Sequence, residues 1–316
     1  MEQAQFVEAR QFLGRHLQRT RLVAAPSLER IGGPPVYLKL ESELPTGSFK
    51  VRGALWALHA NLPRRGLTEV VASSTGNHGA AVAYAAKQLG IKARIFLPEN
   101  SNPVKKANIA RQGAEIVERG TMDLAAAWQA AADYAQRKGV FFLNDADDPD
   151  LPAGPGTIAY EILEALPATA TIYVPMGDTA LIRGVADAAK QSSNQVRIVG
   201  VQAERAPSYV LSWKAGHTVP TDTCDTIADG LATRTPLAAN VNAIRELVDE
   251  VVLVSEQEML NAIGRLALEE HVIAEPAGAA ATAALLKSSA AAAGPAVILV
   301  TGANVAPAVL RQAISP

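Results

Sequence analysis

The chain alternates between short apolar runs and helical segments over most of its length, and this alternation limits the folds open to it. Five apolar runs have the length and composition of buried strands: EVVASS (69–74), KARIFLP (92–98), VFFLND (140–145), ATIYVP (170–175) and RIVGVQ (197–202). Helical segments such as 76–90, 154–167 and 179–191 follow them. Apolar strands that alternate with helices are typical of parallel sheets with helices on both faces. The sequence therefore predicts an α/β fold.

Two stretches rich in glycine, proline and charged residues interrupt the pattern and mark candidate domain junctions. They are LPRRGLTE (62–69) and NDADDPDLPAGPG (144–156). We therefore expect a small domain of residues 69–145, inserted in a large domain formed by residues 1–68 and 146–316.

Composition excludes several classes of partner. The chain of 316 residues carries 29 basic and 31 acidic residues without a basic run, so nucleic acid is not expected. Its one cysteine, Cys224, rules out an intrachain disulfide and a cysteine metal cluster. No apolar run approaches the roughly 20 residues of a membrane helix. The N-terminus lacks an apolar signal-peptide core, so we expect a cytoplasmic protein.

Four unusual turns follow strands of the predicted sheets. They are TGSFKVRGA (46–54), SSTGNHGAA (73–81), PMGDTALIRG (175–184) and TGANV (301–305). Ligands of open α/β folds bind at the carboxyl ends of strands, where these turns lie. Taken singly, each has an ordinary alternative: Lys50 also fits a surface lysine, SSTGNHG a helix cap, His78 a hydrogen-bonded structural histidine, and Thr301 a strand exit.

Together the turns resemble one family. KLESELPTGSFKVRGA is similar to the lysine signature of the fold-type II pyridoxal-phosphate (PLP) enzymes, in particular serine/threonine dehydratases and serine racemase. SSTGNHGAAVAYAA resembles their asparagine loop, and AGPGTIAYEI, TIADGLA, EPAGAAA and TGANV resemble later segments in the same order. The resemblance spans nearly the whole chain. It implies a tryptophan synthase β-like fold with two open, mostly parallel sheets, helices on both faces, and PLP as the cofactor.

The resemblance also implies a role for each matching residue. Lys50 corresponds to the catalytic lysine that forms a Schiff base with PLP, and Phe49 packs near the ring. Asn77 binds the phenolic oxygen of PLP, and Thr301 binds its pyridine nitrogen. The phosphate is expected on the loop that replaces the family's tetraglycine: Gly177, Asp178, Thr179, Ala180 and Leu181. The substrate carboxylate is expected on the asparagine loop: Ser74, Thr75, Gly76, Asn77 and His78.

The chain departs from the family pattern at three places. The phosphate loop keeps only one glycine, and we expect Asp178 to turn away from the phosphate and to cap the helix that begins near Ala180. Thr75 stands where serine racemase has a catalytic serine, which argues against racemisation. Gln202 and Ser208 stand where carboxylate ligands of a divalent ion are expected, so we predict no metal.

The resemblance implies a PLP-dependent lyase of the EC 4.3.1 type. Such an enzyme removes the β-substituent of a hydroxy amino acid, such as L-serine, L-threonine or a larger 3-hydroxy amino acid, and yields a 2-oxo acid and ammonia. Burial and the helix terminus are expected to lower the pKa of Lys50, which then serves as the base. Racemisation, β-replacement and a non-catalytic PLP-fold binding protein remain alternatives. A homodimer is expected from the resemblance alone.

Overall fold

Two sheets organise the chain in the computed structural model, which describes residues 1–74, 76–99, 101, 103–120, 124–193, 195–288 and 293–315. The strands are β1 (Leu22–Ala24), β2 (Val36–Leu40), β3 (Glu69–Ser73), β4 (Lys92–Leu97), β5 (Glu115–Glu118), β6 (Val140–Phe142), β7 (Thr171–Pro175), β8 (Arg197–Ala203), β9 (Glu250–Val254) and β10 (Ala296–Val300). The α-helices are α1 (Gln3–Leu13), α2 (Lys50–Arg65), α3 (Asn77–Leu89), α4 (Pro103–Arg111), α5 (Leu124–Tyr134), α6 (Ala153–Ala165), α7 (Ala180–Ser192), α8 (Ser208–Ala215), α9 (Ala238–Leu247), α10 (Glu256–Glu269), α11 (Pro276–Lys287) and α12 (Pro307–Ile314).

Both sheets are parallel except at one edge. The larger has the order β1-β2-β10-β7-β8-β9, in which only the β1–β2 pair is antiparallel within the described part of the chain. The smaller has the order β5-β4-β3-β6 and is parallel throughout its described strands. The predicted fold class is confirmed.

The central strands of the larger sheet are apolar because helices cover both of their faces. Every residue of β7 and of β10 is buried. Ile298 of β10 lies opposite Leu38 of β2 and Tyr173 of β7, which sets the parallel register. A continuous apolar run is the pattern expected of such strands.

Glycines let the helices beneath the sheet approach closely. A Cβ on Gly184 of α7 would lie 2.0 Å from the Pro152 carbonyl oxygen, at the start of α6.

Helix α2 packs against α6 and also against α3 of the smaller sheet. The four strands of that sheet fall within residues 69–145. This is consistent with the expected small domain, but the exact boundaries remain a proposal.

Several elements differ from the sequence-based expectation. The sequence after RIVGVQ (197–202) shows no regular pattern and predicts a looser region, but the stretch between β8 and β9 contains α8 and α9. Short elements such as β1 and α12 were missed because they carry too few residues for a periodic pattern. The sequence predicts that the helix carrying Lys50 begins at Thr46, Gly47 or Ser48, but α2 begins at Lys50 without a side-chain cap, so that prediction is wrong. None of the helices in the described ranges is both long and apolar enough to cross a membrane.

Candidate active site

The carboxyl ends of the strands surround a cavity of about 200 Å³ that opens between the two sheets. Every site residue expected from the sequence lines it except Thr75, which lies outside the described residues. These lining residues are Phe49, Lys50, Ser74, Gly76, Asn77, His78, Gly177, Asp178, Thr179, Ala180, Leu181 and Thr301. The structure thus brings together residues that are up to 252 positions apart in sequence, from Phe49 to Thr301.

Lys50 reaches the cavity from the first residue of α2. The backbone N–H of Phe49 donates to the Thr301 carbonyl at 3.0 Å, which ties this helix start to the end of β10. The Lys50 ammonium donates to Asp145 Oδ2 at 2.6 Å and lies 5.5 Å from the centre of the Phe49 ring. The Lys50 side chain is 17% exposed. It is therefore sheltered but accessible to a ligand.

The charge state of Lys50 differs from the expectation. Burial by itself lowers the pKa of the ammonium, but the carboxylate of Asp145 and, more weakly, those of Asp178 and Glu275 outweigh it. The pKa of Lys50 therefore lies above its ordinary value, and the expected lowering of that pKa is wrong. The protonated amine is the form that these carboxylates stabilise.

Asp145 is a residue that the sequence analysis missed. It follows β6, inside the acidic stretch interpreted as a domain junction. Burial alone raises the pKa of its carboxyl group, but His78 and Lys50 lower it well below its usual range. Asp145 is therefore ionised at neutral pH and holds Lys50 in place. The only sequence signal that could have identified Asp145 was its position at the end of a predicted strand.

His78 lies in the cavity wall, and its predicted role in substrate binding stays a prediction. Its Nε2 lies 2.8 Å from the Leu143 carbonyl, which can only accept, so Nε2 carries a proton. Nδ1 lies 3.9 Å from Asp145 Oδ2. Burial lowers the pKa of the imidazole despite the nearby carboxylate. A neutral ring that donates to the backbone matches the alternative of a hydrogen-bonded structural histidine.

Two residues from distant segments fix the Asn77 side chain. Asn77 Nδ2 donates to Glu275 Oε1 at 2.5 Å, and Asn77 Oδ1 accepts from Asn304 Nδ2 at 2.7 Å. Asn304 Nδ2 also donates to the Thr46 carbonyl at 2.9 Å. A Cβ on Gly302 would lie 2.1 Å from Glu275 Oε1, so the glycine makes room for this carboxylate. The arrangement orients the amide towards the cavity.

The loop between β7 and α7 has the form of an anion cradle. A Cβ on Gly177 would lie 2.3 Å from the Gly230 carbonyl oxygen, because the segment around Gly230 passes directly across the loop. Backbone N–H groups of the first helical turn have no partner inside a helix, and those at the start of α7, from Ala180 onwards, lie beside the cavity. Such a helix terminus favours a phosphate.

Asp178 does not cap α7 as expected. The structure gives α7 no side-chain cap; instead, Asp178 Oδ1 accepts from Thr233 Oγ1 at 2.8 Å. Burial, followed by the Asp145 charge, raises the pKa of Asp178 to about 6. The expectation failed because Thr233, 55 residues away, supplies a donor that no local pattern reveals. That Asp178 avoids the phosphate stays a prediction.

The comparison with known proteins identifies the family. A model described as pyridoxal-phosphate dependent enzyme matches residues 13–302. The chain belongs to this family. The PLP cofactor expected from the sequence is thereby confirmed, and the relatives described next support the expected lyase class.

Relatives within the family agree in sequence and in shape. The L-threonine ammonia-lyase of Geobacter sulfurreducens is 38% identical over 300 residues, which cover 94% of this chain and 74% of the relative. That of Thermotoga maritima is 35% identical over 301 residues, with the same coverage of both chains. Maize serine racemase superposes with a TM-score of 0.91 at 30% identity, covering 98% of this chain and 96% of that chain. A processed threonine deaminase isoform of Solanum lycopersicum gives a TM-score of 0.90 at 28% identity, covering 99% and 88%.

The residues present fit the family's cofactor. The cavity offers a lysine amine, a fixed amide, a buried hydroxyl on Thr301, and a helix N-terminus beside a glycine whose Cβ would clash. These are the groups that PLP needs for its aldehyde, phenolic oxygen, ring nitrogen and phosphate. Lys50, Asn77, Thr301 and residues 177–181 would hold it.

The residues that correspond to the divalent-metal site of serine racemase form hydrogen bonds within the fold in this chain. Gln202 Oε1 accepts from the Val210 N–H at 3.1 Å, and Ser208 Oγ donates to the Thr233 carbonyl at 2.6 Å. Both side chains are thus used within the fold. No cluster of three or more metal-ligating side chains occurs among the described residues. The expected lack of a metal stays a prediction.

Proposed function

We propose that this chain is an ammonia-lyase that removes the β-hydroxyl group of L-serine, L-threonine or a larger neutral 3-hydroxy amino acid, yielding a 2-oxo acid and ammonia. The observation that carries the proposal is the position of Lys50 in one cavity with Asn77, Thr301 and the α7 terminus. Relatives named as threonine ammonia-lyases at 38% and 35% identity support the same activity.

The chemistry divides between cofactor and protein. When bound, PLP supplies an electron sink for the electrons of the broken α-C–H bond. The Lys50 amine, in its neutral form, would receive the α-proton, and Asp145, 2.6 Å away, would orient it and stabilise the ammonium that results. Thr301 offers a neutral hydroxyl to the ring nitrogen, so it adds no charge there. Asn77 is held rigidly by Glu275 and Asn304.

The charges of the cavity narrow the substrate class. Within the described part of the chain, four carboxyl groups line it: Asp145, Asp178, Asp229 and Glu275. Lys50 is the only Lys or Arg among the described lining residues. A second carboxylate on the substrate would be repelled by these groups, at about 3 kcal/mol for one like charge 5 Å away at an effective dielectric constant of 20. We therefore propose that serine, threonine and phenylserine are preferred over 3-hydroxyaspartate.

A panel of these four amino acids tests both parts of the proposal. We expect ammonia and 2-oxo acid from the neutral substrates, with kcat/KM for 3-hydroxyaspartate at least about tenfold lower. Asp145→Asn should reduce overall activity but raise the ratio of 3-hydroxyaspartate to serine turnover, because one repelling charge is lost. An unchanged ratio contradicts the assigned role of Asp145. A PLP-loaded protein that produces no 2-oxo acid from any of the four contradicts the lyase proposal.

The same panel separates the other activities. Formation of D-serine would indicate racemisation, and product formation that depends on an added thiol would indicate β-replacement. A pure protein that does not take up PLP would restore the binding-protein alternative. We further propose a cytoplasmic homodimer, on the resemblance alone, and size-exclusion chromatography with light scattering tests the dimer.

A further inference from the structure

Thr179, in the proposed phosphate loop, has an unusual backbone conformation. Its φ is 70° and its ψ is −5°, in the left-handed region. Only Thr179 and His271 among the described non-glycine residues have a positive φ. A β-branched residue is disfavoured there, because its side chain crowds the backbone. The conformation therefore needs support from the surrounding structure.

Side chains from three helices provide this support. Arg183 Nε, one turn further along α7, donates to Thr179 Oγ1 at 3.2 Å. The Tyr209 hydroxyl of α8 also interacts with the Thr179 side chain. Asn240 Nδ2 of α9 donates to the Tyr209 hydroxyl at 3.1 Å and lies 3.4 Å from the Asp178 carbonyl oxygen. Side-chain contacts therefore hold the backbone on both sides of the peptide bond between Asp178 and Thr179.

The burial of these polar supporting side chains costs free energy. Tyr209 is fully buried and Asn240 is 3% exposed. The Arg183 Nη2 atom is buried and has no hydrogen-bond partner among the residues that the structure describes. A buried donor without a partner lowers the stability of the fold, so Arg183 is not placed here for its own stability. Its contact with Thr179 is the better explanation for its position.

We propose that Arg183, Tyr209 and Asn240 are positioning residues that replace the conformational freedom of glycine at position 179, holding the loop so that it binds the phosphate of the cofactor. The inference rests on the proposed PLP site. It names no contact between these residues and PLP; they act through Thr179. A loop fixed before binding loses less conformational entropy when the phosphate arrives.

The test measures cofactor affinity of the apoprotein by fluorescence titration, with PLP and with pyridoxal, which lacks the phosphate. Tyr209→Phe should weaken PLP binding about five- to tenfold, the effect of one hydrogen bond, and leave pyridoxal binding unchanged. Arg183→Met should do the same. Thermal unfolding of each variant checks that it folds.

Substitutions at position 179 supply the matched controls. Thr179→Gly and Thr179→Ala both lose the hydroxyl, but only the alanine retains the backbone penalty, so the glycine variant should bind PLP more tightly than the alanine variant. In the Thr179→Gly background, Tyr209→Phe should no longer change the affinity for PLP.

An equal loss from Tyr209→Phe in both backgrounds, or an equal loss for PLP and pyridoxal, overturns the positioning role. A wild-type protein that fails to bind PLP overturns the proposed function, which distinguishes the two failures.

Discussion

Lys50→Ala is expected to lower ammonia-lyase activity at least about a thousandfold, because it removes both the cofactor's attachment point and the proposed base. The same variant should lose the absorbance band near about 410 nm expected of a lysine-bound PLP enzyme. Lys50 is the residue that the cavity presents to a ligand, and Asp145 and the end of β10 hold its position. No other Lys lines the cavity in the described part of the chain.

Chemical reduction gives a readout that does not depend on activity. Borohydride treatment of the PLP-loaded protein should attach the cofactor irreversibly to one peptide, and mass spectrometry should locate it on Lys50. Lys138→Ala serves as the control, because Lys138 is exposed and is not among the residues that line the cavity. A Lys50→Ala protein that retained the band and full activity would show that another lysine binds the cofactor.

The sequence predicted the parts of the site that follow strand ends directly. Lys50, Asn77, Gly177 and Thr301 each lie in a turn after a strand, and parallel topology brings such turns to one edge of a sheet. Their positions could therefore be inferred before the fold was known. Thr75, also expected there, lies outside the described residues.

The partners of these residues could not be inferred in the same way. Asp145, Glu275 and Asn304 reach Lys50 and Asn77 only through tertiary contacts, over separations of 95 to 227 residues. The error in the direction of the Lys50 pKa has this origin: burial and the helix start are local features, but the carboxylates that outweigh them come from distant segments. The bonding of Asp178 to Thr233 is a similar case.

The lysine signature itself serves two purposes, which only the structure separates. Phe49 and Lys50 face the cavity, whereas Lys39, Glu41 and Arg52 lie in the protein interior. The interior charges bond to one another and to Glu161 of α6. From the sequence the signature was interpreted as a cofactor-binding motif, but its charged residues Lys39, Glu41 and Arg52 form a structural ion network.

That network has a dense set of hydrogen bonds. Arg52 Nε and Nη2 donate to Glu41 at 2.7 and 2.9 Å, and Nη1 and Nη2 donate to Glu161 at 2.7 and 3.0 Å. Lys39 Nζ donates to Glu161 at 2.5 Å, and Thr20 Oγ1 donates to Glu41 at 2.7 Å. Arg52 is 2% exposed and Glu41 is fully buried. The two carboxylates are thus neutralised by Arg52 and Lys39 together, and Arg52 joins α2 to α6.

Arg52→Met should therefore destabilise the fold by about 3–5 kcal/mol, the usual cost of removing one partner of a buried ion pair. Urea denaturation followed by circular dichroism measures this change. Arg197→Met is the matched control, because Arg197 pairs with Glu250 at the surface, where both side chains are about half exposed; we expect a change below about 1 kcal/mol. Equal effects of the two substitutions would contradict the structural role of Arg52.

The pH dependence of stability adds an independent check on the same network. Burial alone raises the pKa of Glu161, but Arg52 and Lys39 outweigh it, and the pKa lies below the ordinary value. A carboxyl group with a depressed folded-state pKa contributes stability above its unfolded pKa, and this contribution is lost as the pH falls through the folded-state value. Wild-type stability should therefore decrease on acidification below about pH 4.5. In Arg52→Met the Glu161 carboxylate loses its main partner, so its pKa should rise and the loss of stability at acid pH should be smaller than in the wild type.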